Sequence, residues 1–392
     1  MSETMELSNA SALPSPVIGV GIRERASKLM PLVAFVAIVV AFQIASQGAF
    51  LTPRNLSNLA RQVCVNGLLA TGMTYVILTA GIDLSVGSVL ALASMTAALT
   101  QVSLGWANWG VGGAALSVLA ALMVGAVTGA TTGTLVSRVR ITPFIVSLAM
   151  MVVCRGLTLI FSGAQAVAPL GDSLGALSAD YLEPSFSAVL LVVAAVIGVG
   201  LPAFATFRGS LELWTGVRRA GFAAIGLACA GYAFVGYRGI PFMVIVFATC
   251  FSAAALVLRY TRFGRFLYAI GGNREAAELS GVPVRRVLFV TYLLMGLFAG
   301  LAGVLDAARV NGAVPSAGEL SELDAIAAVV IGGTSLMGGI GTLGGTLLGV
   351  LIMGALNNGM SLVGVNEHSQ KVFKGVVILL AVYFDIRSKK KA

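Results

Sequence analysis

The sequence predicts an all-α, polytopic integral membrane protein, and three observations carry that prediction. Of 392 residues, 58% are hydrophobic and 10% charged, with a mean hydropathy of +0.95. Soluble domains sit near half apolar and about a quarter charged. Apolar runs close to the ~20 residues needed to cross a bilayer recur along the chain. There are also 48 glycines against only 8% aromatics, a balance that lets helix backbones approach where lipid supplies no hydrophobic drive.

Spans are expected near 29–46, 59–80, 84–101, 110–135, 141–162, 186–206, 220–238, 241–259, 287–306, 323–338, 341–358 and 371–386, about twelve in all. Residues 1–27 read as a cytoplasmic N-terminal tail, 28–386 as the transmembrane domain and 387–392 as a basic cytoplasmic tail. Orientation follows from basic residues. Arg23, Arg25 and Lys28 precede the first span, Arg138 and Arg140 follow the fourth, and Arg208, Arg218 and Arg219 follow the sixth. Arg259, Arg262, Arg265, Arg274, Arg285 and Arg286 surround the connection after the eighth, and Arg387 with Lys389, Lys390 and Lys391 ends the chain. With alternating spans all these clusters face the cytoplasm, as do both termini. Arg54 and Arg61 are exceptions, and Asp172, Asp180, Glu183, Glu319, Glu322 and Glu367 fall in the outward loops.

Several function classes are excluded. The net charge of +9 is explained by orientation, and no basic run alternates with aromatics as a nucleic-acid groove requires. No phosphate loop of the form G-x-x-x-x-G-K-[ST] occurs, so the chain itself should not hydrolyse ATP. The single histidine, His368, cannot build a metal or triad site, and none is expected. The cysteines Cys64, Cys154, Cys229 and Cys250 lie in apolar runs and read as buried small hydrophobes.

Packing signals are periodic. Gly125, Gly129 and Gly133 recur every four residues, as do Gly341, Gly345 and Gly349, and Gly296 with Gly300 repeats the pattern. Each makes a side-chain-free stripe for a neighbouring helix. Gly87, Ala91, Ser94 and Ala98 give the third span a similar face.

Polar residues inside this apolar frame are the candidates for mechanism. In GIDLSVGSVLAL (81–92), Asp83 precedes a helix and is followed by Ser85 and Ser88. It can cap that helix by accepting from the N–H of Ser85 or Val86, where the dipole favours a carboxylate. A substrate- or proton-binding carboxylate is the alternative. Asp324 in SELDAIAAVVIGG invites the same two readings. Asp83 and Asp324 open spans of opposite direction, a weak sign of an inverted repeat. Arg155, inside the fifth span, is either a paired structural arginine or a pathway residue.

The longest polar connection is TRFGRFLYAIGGNREAAELSGVPVRR (261–286). Asn273 is a good N-cap, Glu275 and Glu278 suit the first turn, and Gly281 and Pro283 stop the helix. A short helix on the cytoplasmic surface, docked to a soluble partner, is expected. The Gly-rich stretch GGTSLMGGIGTLGGTLLGV (332–350) predicts either a broken, re-entrant helix or a tight hairpin.

GIDLSVGS (81–88), TPFIVSLAMMVVCRGLTLIFSG (142–163), GGNREAAELSGV (271–282) and ELDAIAAVVIGGTSLMGGIGTLGGTLLG (322–349) resemble one family, the membrane-spanning permease subunit of ribose/xylose-type ABC sugar importers. The resemblance runs from about residue 55 to the C-terminus, and EAAELSG (275–281) fits the EAA-x-x-x-G pattern of importer coupling loops. It implies a non-ATPase subunit of a bacterial inner-membrane complex. Two permease copies would form the pathway, and two cytoplasmic ATPases would bind ATP and Mg²⁺ and dock on the coupling helices. A periplasmic sugar-binding protein would deliver the substrate. Asn273, Glu275, Ala276, Ala277, Glu278 and Gly281 would then belong to the coupling helix, and no cofactor to this chain. Extra sequence near 186–240, enough for two added spans, looks like the D-xylose branch. Ribose or another small sugar or polyol is the alternative substrate, and an ion-coupled secondary transporter the alternative mechanism. A membrane enzyme finds no nucleophile–base pair here.

Overall fold

A computed structural model describes residues 18–208 and 213–389. Among them the chain is helical apart from loops and two isolated bridges, Val167 with Ala313 and Tyr181 with Pro241. In chain order the helices are α1 (Ile18–Ala45), α2 (Pro53–Leu78), α3 (Val86–Val102), α4 (Gly110–Thr134), α5 (Pro143–Ser162), α6 (Asp172–Ala179), α7 (Pro184–Ala195) and α8 (Leu201–Phe207). There follow α9 (Leu213–Val235), α10 (Phe242–Tyr260), α11 (Arg262–Gly272), α12 (Arg274–Leu279), α13 (Val284–Val310), α14 (Ser321–Ile331), α15 (Leu343–Leu362) and α16 (Glu367–Lys389). Proline opens α2, α5 and α7, where its fixed φ suits the first turn and its missing N–H costs no helical bond.

Among the described residues, six helical stretches are long and apolar enough to cross a bilayer: Trp106–Val139, Pro143–Ser162, Pro184–Phe207, Phe242–Tyr260, Val284–Val310 and Leu343–Leu362. Shorter apolar helices, Met30–Ala45 and Val86–Val102, accompany them. About twelve spans are expected; six stretches meet the length and the two shorter apolar helices fall below it. The span expected at 323–338 is the clearest difference. α14 ends at Ile331 after 11 residues, about 16 Å of rise, too short to span alone. Gly332 lies backbone-to-backbone on Gly345, and Gly333 turns the chain at φ +88°, so the helix stops there. At the N-terminus, α1 begins at Ile18, inside the stretch expected as tail. The rest of that tail, residues 209–212 of the expected basic loop and residues 390–392 lie outside the described residues.

α13 is the centre of the bundle, packed on α2, α3 and α4. Its glycine stripe meets that of α4. A Cβ on Gly125 would strike the carbonyl oxygen of Gly296, one on Gly129 that of Tyr292, and one on Gly133 that of Phe289. The pairs run in opposite order along the two helices, so α4 and α13 are antiparallel. Arg138 and Arg140, just past α4, therefore lie at the same end of the bundle as Arg285 and Arg286 in the first turn of α13. Gly303 seats on Leu90 and Ser94 of α3, and Gly349 on Ala328 of α14. Gly345 meets Gly332, and Gly341 meets Thr334. Polar side chains bridge helices where small residues allow it: Thr74 and Thr346 hydroxyls lie 2.8 Å apart between α2 and α15. Cys64 and Cys154 are buried, but Cys229 is exposed, against expectation, because its helix α9 sits at the bundle's edge.

Candidate functional site

Two non-helical segments lie close together inside the bundle. The first, residues 79–85, joins α2 to α3. Asp83 is buried there, and its Oδ1 accepts from the Ser85 N–H at 2.9 Å and the Ser85 hydroxyl at 2.6 Å. Asp83 is not itself the cap: Ser85 is the N-cap of α3, and these bonds close a turn just ahead of the helix, in whose first turn Ser88 is also buried. Beside them is a small cleft of about 190 Å³, counting its open mouth, lined by Asp83, Ser85, Thr128, Gly129, Thr132 and Gly296.

The second segment, 311–320, leaves α13 and turns back toward the bundle. Arg155 draws it in: its guanidinium donates to the carbonyls of Pro315 and Ala317, the latter at 2.9 Å. Gly318, at φ +67°, then abuts the backbone of Gly87 in the first turn of α3, just past the Asp83 segment, with no room for a side chain on either.

Asp324 does not cap its helix. It is the fourth residue of α14, whose N-cap is Leu320, and its own N–H is already bonded to the Leu320 carbonyl. Its Oδ2 instead accepts from Lys374 Nζ at 2.9 Å and from Asn357 Nδ2 at 3.2 Å, tying α14 to α16 and α15. One turn earlier on α16, Lys371 pairs with Glu319 of the re-entrant loop at 3.3 Å. Asn358 exchanges amide bonds with Asn55 of α2 at 2.9 and 3.2 Å. Asn55, Asn357, Asn358 and Lys374 are absent from the sequence reading. The signal was present: a paired amide in GALNNGMS and a lysine in VFKGVVILL are costly in an apolar helix unless they find partners.

The connector folds as two short helices. Thr261 caps α11 by accepting from the Gly264 N–H at 3.2 Å. Asn273 caps α12 by accepting from the Ala276 N–H at 2.9 Å. Gly281, at φ +81°, turns the chain toward α13. α11 buries Leu267 and Ile270 in an apolar cluster with Leu78, Leu258, Val284 and Leu288. Ala277 joins that cluster, so α12 is seated by one small residue. Its outer face is free: Glu275, Ala276 and Glu278 are exposed, and Leu279 is 85% exposed. From α12 the contacts run inward. Gly271 packs on the Leu78 carbonyl and on Gly339, and the Tyr268 hydroxyl donates to the Gly341 carbonyl at 2.8 Å. A rigid seat therefore joins the connector to the end of α2, just before the Asp83 segment, and to the Gly-rich loop before α15.

α12 is thus a capped, exposed helix joined through α11 to the interior of the bundle. The sequence profile described as the permease component of branched-chain amino acid transport systems matches residues 55–382. The xylose transport system permease XylH of Escherichia coli K12 is 36% identical over 373 residues, covering 92% of each chain. The ribose import permease RbsC of the same strain is 38% identical over 362 residues, covering 91% of this chain and 94% of its own. RbsC of Bacillus subtilis is 40% identical over 358 residues, covering 91% and 92%. The chain belongs to this permease family. The permease matches no solved structure. Its xylose and ribose relatives stand at near-equal identity, and both are transport subunits rather than enzymes.

Proposed function

We propose that this permease, with a second copy of itself, forms the translocation pathway of an ATP-driven, binding-protein-dependent importer for a pentose, D-xylose in the first place. About twelve membrane-crossing segments with both termini cytoplasmic, arranged as an inverted repeat, suit that reading. The observation that carries the proposal is α12. It is capped, seated by Ala277, and presents Leu279 and two glutamates to solvent. A cytoplasmic ATPase that binds ATP and Mg²⁺ docks there. Its movement passes through α11 to Leu78 and Gly339, and so to the broken segments of the interior. Packed elements transmit displacement because close-packed interiors compress little.

Asp83 in this reading holds the start of α3, and Arg155 holds the re-entrant loop, so both fix the pathway's walls. Beside the apolar Val86, Val89, Met295 and Ala299, the cleft offers the hydroxyls of Ser85, Thr128 and Thr132, which suit a neutral polyhydroxylated solute. The substrate is selected by the periplasmic binding protein. Extraction of the tagged chain from its bacterial inner membrane tests the proposal. An ATPase and a sugar-binding protein should co-purify, and ligand screening of the latter should find D-xylose ahead of ribose. A chain that purifies alone and carries sugar into liposomes without ATP would replace this reading with an ion-coupled transporter.

A further inference from the structure

The Asp324–Asn357–Lys374 cluster leaves two acceptors unused. Asp324 takes both of its donors on Oδ2, and its Oδ1 is buried without a partner. Asn357 Oδ1 is likewise buried and unpartnered. Both residues are nineteen-twentieths buried, at 5% exposure each. The amide orientation is forced, because a carboxylate only accepts. Asn357 must turn its Nδ2 toward Asp324 and its carbonyl away. Native interiors rarely leave such acceptors unmade, so each asks for a donor.

Charge decides what kind of donor. Lys374, 2.9 Å from Asp324, already balances the carboxylate. A cation here would add an uncompensated positive charge in a low-dielectric setting, and an anion would meet two lone pairs. Neutral hydroxyls, one for each oxygen, satisfy them at no charge cost. The two oxygens are themselves covered in this structure, and only the lysine edge of the cluster is open. The Lys374 side chain is 21% exposed, and one turn along α16 the Lys371–Glu319 pair is open to solvent.

The geometry points to a hydroxyl-donor subsite in which Asp324 Oδ1 and Asn357 Oδ1 accept from hydroxyl groups of a neutral polyhydroxylated solute as it passes. This inference rests on the proposed importer function and adds a contact point to it. Lys374 is a positioning residue, holding the carboxylate so that one oxygen stays free.

Paired rates test it. The importer complex is reconstituted in proteoliposomes, and ATP-driven uptake of labelled D-xylose and of its 2-, 3- and 4-deoxy analogues is measured at saturating binding protein. Asn357→Leu removes the amide acceptor and leaves the Asp324–Lys374 pair in place. Ratios of variant to wild type for each sugar cancel the binding protein's own preference. Uptake of D-xylose should fall about tenfold, the worth of one hydrogen bond. Uptake of the analogue lacking the contacting hydroxyl should fall less than about twofold, since that contact is already missing. Equal loss for xylose and every analogue, or no loss, would show that the two oxygens hold only water, and would overturn the subsite. Should Asn357→Leu not assemble, Asn357→Ser, smaller and still able to bond Asp324, carries the same comparison. A wild-type complex with no ATP-dependent pentose uptake would overturn the importer reading, and the subsite with it.

Discussion

Gly125 and Gly296 lie backbone to backbone, each placed so that a Cβ on one would strike the carbonyl oxygen of the other. This contact joins α4 to α13, the helix around which the bundle is built. The two helices approach so closely only because neither carries a side chain there, which maximises dispersion contact where lipid gives no hydrophobic drive.

Gly129→Leu should therefore be among the most damaging single changes. Its side chain would enter the Tyr292 carbonyl and the Gly296 backbone, where no flexible group can yield. Overpacking typically costs about 1–3 kcal/mol, and rigid backbone on the far side places this site at the upper end. Thermal unfolding in detergent should show a clear drop in Tm. Gly156→Leu on α5, where a Cβ meets nothing within 4 Å, should leave it unchanged.

Arg155→Ala should lower the amount of protein in the membrane rather than change which sugar is carried. The guanidinium holds the carbonyls of Pro315 and Ala317, and each buried acceptor left unmade costs about 1–3 kcal/mol. Immunoblots of membranes alongside sugar-competition uptake separate the two effects. Normal abundance with abolished uptake would make Arg155 a pathway residue instead.

Leu279→Glu should leave the permease folded and reduce the ATPase that co-purifies with it. The residue is 85% exposed and touches no core cluster, so the fold gives no reason for an apolar side chain there. Ala276→Trp, on the same exposed face, should uncouple ATP hydrolysis from uptake. Ala277→Trp differs: that residue is buried in the apolar cluster that also holds Leu267 and Val284, and its replacement should also unseat α12.

Lys374→Met should destabilise the bundle by about 3–5 kcal/mol, because it strands the Asp324 carboxylate in a buried site. Pairing it with Asp324→Asn should recover much of that loss, since no charge is then left alone. Denaturation of the single and double variants gives the comparison. Equal instability in both would show that the pair is not coupled.

Asp83→Ala should cost about 1 kcal/mol through loss of its bonds to Ser85, the residue that precedes α3. A variant as stable as wild type yet unable to support uptake would assign the carboxylate to the solute path.

Much of this was legible along the chain. The glycine spacings on α4 and α13 are local periodicities, and four-residue recurrence needs no tertiary knowledge to mark a stripe. The cap at Asn273 and the stop at Gly281 depend on neighbouring residues alone, so the short connector helix could be placed to within a residue or two. Asp324 was misread for the same reason in reverse. A carboxylate ahead of an apolar run looks like a cap. Its true helix start is set by the loop that Arg155 pulls inward, which moves Asp324 a full turn inside α14.

What the sequence alone determined is what short-range chemistry determines: an apolar, all-helical chain, its close-packing faces, and an exposed, capped connector. Only the tertiary structure decided which polar groups find each other. Asp324, Asn357 and Lys374 lie on three helices, and Asn55 and Asn358 are 303 residues apart, so their pairing has no period to read. The length of α14 was decided there too, because a helix ends where the surrounding backbone leaves it no room. At Gly332 that backbone belongs to Gly345, one helix further on.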